Sequence, residues 1–287
     1  MGSIKVKNSR VDSIQTKALG KILILGGISE AKKLAQQLHD TGVSLIYSIQ
    51  GSVRELKADY DVVSGGFSRY SQTESPKGSS ISGLDIFIEK NQITLLVDAT
   101  HPYADAISNT AFESSKRSNI PYFQYTRPPW DKEELSKAPL LLKLQDFPSY
   151  EQILSKTHKF NRLFWATGYN SISSLAHKRP SHQRWIFRTA KEPSAEDPKD
   201  LEQVDTGIDT INQIGPFSVQ HEIDLFQQKQ IDALICKNSG GNFNEAKLKA
   251  ASALDIPVFL LKRPNKIAAN CQYSSIETLF NAIIARI

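Results

Sequence analysis

Short apolar runs in this chain break off in polar loops bearing glycine or proline, and segments of helical period follow them. The run KILIL at 21–25 enters Gly26-Gly27, after which Ala31, Leu34, Ala35 and Leu38 recur at helical spacing as far as Asp40. Further strands are predicted at 43–49, 61–63, 93–97 and 121–124, with helices over 84–89 and 105–118. Strands alternating with helices at this pitch build right-handed βαβ units and a parallel sheet. After a transition at 131–160, which holds an apolar run at 140–144, a second alternation begins. It places strands at 163–166, 185–188, 233–236 and 258–261, with helices over 219–229 and 244–253. The fold class is therefore α/β, with two units in tandem.

At 287 residues the chain is long for one domain and suits two of about 130–140. The expected division is an extension at 1–20, a first domain at 21–135 and a second at 136–287. The extension is polar and basic without a hydrophobic segment, so it is expected to be disordered and not a secretory signal. No apolar run reaches the roughly 18 residues that cross a membrane. Cys236 and Cys271 match no zinc or disulfide spacing, which predicts no metal site and a reducing, cytoplasmic setting. The net charge of +5 is spread along the chain. It lacks the dense basic blocks of a nucleic-acid binder and suits an acidic small-molecule ligand.

The chemistry gathers where strands end. Leu95-Leu96-Val97 reads as a buried strand that stops at Asp98, and Thr100, His101 and Pro102 follow at once. A parallel strand delivers such groups to the carboxyl edge of its sheet, where open α/β folds bind ligands. Helix capping by Asp98 or Thr100 accounts for one of these residues but not for His101-Pro102. Strand, Gly26-Gly27 and helix can set an amino terminus against a phosphate. The motif lacks the full G-x-G-x-x-G fingerprint, so a tight turn explains it equally well. After the second strand the chain offers Ser52 and Arg54 and no acid until Glu55, a pattern that suits NADP rather than NAD, although an exposed arginine on a loop is common. In the second unit, Lys237-Asn238-Ser239-Gly240-Gly241 can bind carboxylate or phosphate. Ser218 stands as a helix N-cap after Gly215-Pro216-Phe217, and Thr167-Gly168 reads as a turn. Their shared location at strand ends argues for one cleft.

Ile-Leu-Gly-Gly-x-x-Glu-Ala at 24–31, Asp-Ala-Thr-His-Pro-Tyr-Ala at 98–104 and Arg-Pro-Pro-Trp at 127–130 stand in the first half. Gly-Pro-Phe-Ser at 215–218, Lys-Asn-Ser-Gly-Gly at 237–241 and Arg-Pro at 263–264 follow in the second. In this order they resemble the precorrin-6A reductase family, over 21–264. The resemblance implies two tandem Rossmann-like domains with parallel sheets and a ligand cleft between them. It implies an NADPH-dependent oxidoreductase of cobalamin biosynthesis that reduces a macrocycle double bond, taking precorrin-6A or cobalt-precorrin-6A to the 6B form. Three departures are visible: a longer polar loop at 68–80, Ile28 where threonine is usual, and Ala166 before Thr167-Gly168.

Carried onto this chain, the resemblance puts Asp98 and His101 at the reacting end. His101 is the expected proton relay, because imidazole titrates near neutral pH. Expected cofactor contacts are Gly26, Gly27, Ser29, Glu30, Ser52, Arg54, Gly66 and Thr100. Expected substrate contacts are Tyr103, Arg127, Thr167, Gly168, Ser218, Lys237, Asn238, Ser239 and Gly240. The partner it implies is a polycarboxylate tetrapyrrole, with no nucleic acid or membrane expected, and transient contact with neighbouring pathway enzymes is a further expectation. Two other readings stay open: a non-catalytic tetrapyrrole- or nucleotide-binding module, and a cofactor-free two-domain tetrapyrrole synthase.

Overall fold

The computed structural model describes residues 20–50, 58–71, 82–130, 144–168, 170–190, 207–241, 245–264, 269 and 271–286. Residues 1–19, Ser52, Arg54 and positions 72–80 of the polar loop lie outside the described residues.

Five parallel strands open the chain: β1 (Lys21–Leu25), β2 (Leu45–Ile49), β3 (Asp61–Ser64), β4 (Ile93–Asp98) and β5 (Tyr122–Tyr125). Helices α1 (Ser29–Asp40), α2 (Gly83–Lys90) and α3 (Asp105–Arg117) connect them. Both faces of this sheet are covered, which is why β1 is apolar after Lys21. Ile22 and Ile24 pack with Leu34 and Leu38 of α1. The alternate residues Leu23 and Leu25 pack with Leu84 and Phe87 of α2 and with Ala111 of α3.

The second sheet holds β6 (Leu144–Phe147), β7 (Arg162–Ala166), β8 (Arg184–Thr189), β9 (Ile208–Asn212), β10 (Ala233–Lys237) and β11 (Val258–Leu261). Helices α4 (Tyr150–Thr157), α5 (Asn170–Leu175), α6 (Val219–Gln228) and α7 (Ala246–Ala253) join its strands. The chain ends in β12 (Cys271–Tyr273) and α8 (Ile276–Ile284).

Strand order is β12-β5-β4-β1-β2-β3 in one sheet and β6-β11-β10-β7-β8-β9 in the other. The two orders are equivalent rank by rank, and in each the chain reverses direction between the first and fourth strands of its unit. That reversal opens a crevice at the carboxyl edge, beside β1 and β4 in one sheet and β7 and β10 in the other.

The expected domain limits need one correction. Residues 271–284 do not belong to the second unit, because β12 pairs with β5 through Cys271 and Phe123. Helix α8 then buries Leu279 and Ile283 in the cluster around Ile22 and Ile24. The chain thus passes between sheets twice, each time directly after a fifth strand and through an Arg-Pro pair, Arg127-Pro128 and Arg263-Pro264. Thr126 N–H donates to the carbonyl of Tyr273, and Lys262 N–H to that of Phe147, at 2.8 Å each. Both crossings therefore leave from the sheet edge that the sixth strand completes. Among the described residues, no helix is long and apolar enough to cross a membrane.

Candidate active site

The first crevice holds a cavity of about 280 Å³ lined by the carboxyl ends of all four strands around the reversal. Gly26 is required there by packing, since a Cβ would come within 2.2 Å of the Tyr47 ring. Tyr47 is buried, which pushes its phenol up to about 12, and its hydroxyl accepts the Gly27 N–H at 3.3 Å. Gly27 has φ +125, a region that favours glycine, and space for a ligand lies beside it. Helix α1 begins after Ile28 without a side-chain cap, so its first amides face outward from the helix end. Ser48 stands near the end of β2 and Gln50 just after it, Gly65, Gly66 and Phe67 follow β3, and Thr100 and His101 follow β4.

The second crevice holds a cavity of about 450 Å³. Thr167 and Gly168 line it after β7, Arg188 stands on β8, and Lys237 and Ser239 come from the end of β10. Glu222 and Lys247 enter from α6 and α7. Arg188 binds both carboxylate oxygens of Glu222, one at 2.7 Å, and lies over the rings of Phe217 at 4.2 Å and Phe164 at 4.8 Å. The pair is largely self-neutralised. Two ammonium groups then dominate the field, because Lys237 and Lys247 both line this cavity. Burial lowers both, with Asp105 opposing for Lys237 and Cys236 and Glu222 opposing for Lys247. A carboxylate entering here would favour the charged form of each. His101 lines this cavity as well as the first.

Between the crevices the two units are bolted together. Tyr103 donates its hydroxyl to the Leu261 carbonyl and accepts the Asn238 N–H at 2.8 Å. Arg263 donates to the carbonyls of Asn238, Arg127 and Pro128. Arg127 donates to Gly240 O at 3.2 Å and to the Glu30 carboxylate. Burial raises the Glu30 carboxyl, but the hydrogen bonds from Arg127 and Ser29 outweigh it and hold it below its ordinary value. Gly240 is forced by this crossing, because a Cβ would meet Pro128 O at 2.0 Å.

Several of the expected site residues have partners within the protein. Asp98 is 1% exposed, and its oxygens accept from Thr100 N–H and hydroxyl, Tyr122 hydroxyl and the Gln124 amide. Four donors occupy it, so it holds the turn. Glu30 and Arg127 bind each other, and Ser29 donates to Glu30 at 2.8 Å, so all three have partners within the protein. Tyr103, Asn238 and Gly240 belong to the bolt, and Asn238 also accepts the Trp130 N–H at 3.0 Å. Ser218 caps α6 by accepting the His221 N–H at 3.1 Å. The structure does bring Gly26, Gly27, Gly66, Thr100 and His101 to the first cavity, and Thr167, Gly168, Lys237 and Ser239 to the second.

Ser48, Gln50, Arg188, Glu222 and Lys247 also line the two cavities and are not among the residues expected from sequence. Arg188 had a signal, because it ends a predicted strand at a sheet edge. Lys247 had none, since a lysine within 244–253 reads as a solvated helix face.

A model of the family described as precorrin-6x reductase CbiJ/CobK matches residues 21–284. A precorrin-6A reductase of Rhodococcus erythropolis is 32% identical over 246 residues, covering 85% of this chain and 89% of that protein. One from Mycobacterium tuberculosis is 29% identical over 249 residues, with the same two coverages, 85% and 89%. A cobalt-precorrin-6A reductase of Priestia megaterium is 24% identical over 272 residues, covering 92% and 98%. The solved structure of a CobK precorrin-6A reductase shares the fold, with a TM-score of 0.76 at 24% identity over 93% of this chain and 98% of that one.

Proposed function

The chain belongs to the precorrin-6x reductase family, CbiJ/CobK, and we propose that it reduces precorrin-6A or its cobalt form at the junction of its two units. In this reading NADPH lies along the first crevice and the macrocycle enters the second. The observation that carries the reading is His101, the one side chain among the described residues that lines both of those cavities. A reduction between two bound molecules needs such a shared boundary.

The first crevice suits a dinucleotide. A Cβ is excluded at Gly26, open space lies beside Gly27, and the α1 amino terminus carries no side-chain cap. This combination lets a pyrophosphate approach the main chain and its partial positive charge. Ser52 and Arg54 follow β2 in sequence, and their role is to hold a 2′-phosphate. NADPH, when bound, supplies the hydride.

The second crevice suits a polycarboxylate. Lys237 and Lys247 bring two desolvated ammonium groups to it, and Thr167 and Ser239 bring hydroxyls. Charge-assisted contacts of this kind orient an acidic macrocycle against His101. The chain's contribution is placement and electrostatics rather than covalent chemistry.

The test is an anaerobic assay with purified protein and both forms of precorrin-6A. NADPH absorbance should fall only when a macrocycle is present, and NADH should serve less well. Binding of NADPH without consumption in either mixture would leave a binding module in place of a reductase. Reduction that proceeds without a nicotinamide would remove the cofactor assignment.

A further inference from the structure

Tyr103 follows His101 closely and touches both units. Its main-chain N–H donates to Nδ1 of His101 at 3.3 Å. Its ring lies against the imidazole, tilted by 36° with the centroids 5.7 Å apart. Its hydroxyl reaches across to the Leu261 carbonyl and the Asn238 N–H, at the carboxyl ends of β11 and β10. The Lys237 ammonium stands 5.2 Å from the same ring. One side chain thus connects the histidine common to both cavities with a lysine of the second.

We propose that Tyr103 is a positioning residue whose amide fixes His101 in the Nε2–H tautomer and whose hydroxyl sets that imidazole in register with the second cavity. A ring nitrogen that accepts an N–H carries no proton of its own, so a neutral imidazole in this setting has its proton on Nε2. Such a ring donates a hydrogen bond well. It relays a proton poorly, because release from Nε2 requires uptake at Nδ1, and the Tyr103 amide occupies that lone pair. His101 therefore serves the reacting edge of the macrocycle as a neutral donor, in place of the relay expected from sequence. NADPH, when bound, would supply the hydride, and solvent water would supply the accompanying proton.

The hydroxyl supplies the second half of the role. It makes two main-chain hydrogen bonds in the other unit, which tie the His101 turn to the ends of β10 and β11. Burial pushes the phenol up, with the Asn238 amide opposing, which keeps the hydroxyl protonated as a donor. The register role rests on the reductase reading above, whereas the tautomer does not.

Two measurements test this. In protein carrying ¹⁵N-labelled histidine, the His101 signals are identified by their loss in His101→Gln. They should show a protonated Nε2 and a bare Nδ1. A protonated Nδ1 would overturn the tautomer assignment, and this readout needs no substrate. Tyr103→Phe keeps the ring and amide and removes only the hydroxyl. It should retain the tautomer and bind NADPH nearly as before, while single-turnover hydride transfer slows roughly ten- to a hundredfold. Hydride transfer at the unmodified rate, or an equal loss of NADPH affinity, would overturn the register role. If the unmodified protein reduces no precorrin, the reductase reading fails and the tautomer alone decides the proposal.

Discussion

His101 lines both cavities, whereas Asp98, a few positions earlier, is occupied by four donors and holds the turn that presents it. Removing the imidazole should therefore act on chemistry more than on binding. His101→Ala should slow single-turnover hydride transfer about a hundredfold, the usual size for a preorganised donor, with NADPH affinity nearly unchanged. A transfer rate equal to that of the unmodified protein would make His101 a wall residue. Lys237 supplies the complementary test on the other unit. Lys237→Ala should weaken macrocycle binding by about 1.5–3 kcal/mol and leave NADPH titrations unaltered. The reverse pattern would exchange the ligands of the two units. Residue types at strand ends were legible because a buried strand has one place to deliver polar groups. Partnerships were not. Arg127 reads as a ligand group in sequence, yet its carboxylate partner Glu30 stands 97 positions away and is set by tertiary contact alone.

At the scale of elements, the apolar runs that predict strands are those buried on both faces, such as Ile22 to Leu25 and Leu95 to Val97. Edge strands carry a weaker signal. Strand β12 is three residues long and partly exposed, too short for any period to register, and its partner β5 lies far back in the chain. Helix α8 is amphipathic but sits beyond the last recognised motif, so only its packing reveals which sheet it serves. That packing makes a prediction. Leu279 and Ile283 are fully buried against β1 and α1, so Leu279→Ala should cost about 2–5 kcal/mol of stability by leaving a cavity. Denaturant unfolding followed with and without NADPH checks it. The variant should unfold earlier, and NADPH should recover part of the loss by binding the folded first unit. An unchanged midpoint would mean that α8 contributes nothing to that core.

At the scale of the molecule, two crossings and the Tyr103, Arg127 and Arg263 contacts join the units where the crevices meet. The junction should respond to acid. Glu30 is held below its ordinary value in the folded state. Its contribution is fully present above the unfolded carboxyl value of about 4.3 and is lost as pH falls through the lower folded value. Acid titrations of stability should therefore show the unmodified protein losing more than Glu30→Gln in that window, and parallel curves would contradict the pairing. In the proposed reaction a hydride passes from the first crevice to the second. Mass spectrometry of the macrocycle after a single turnover with NADPH deuterated at the nicotinamide C4 tests it most directly. The account predicts one deuterium bound to carbon in the reduced product, with a primary isotope effect on its formation. A product reduced without deuterium from either face of the nicotinamide would contradict it.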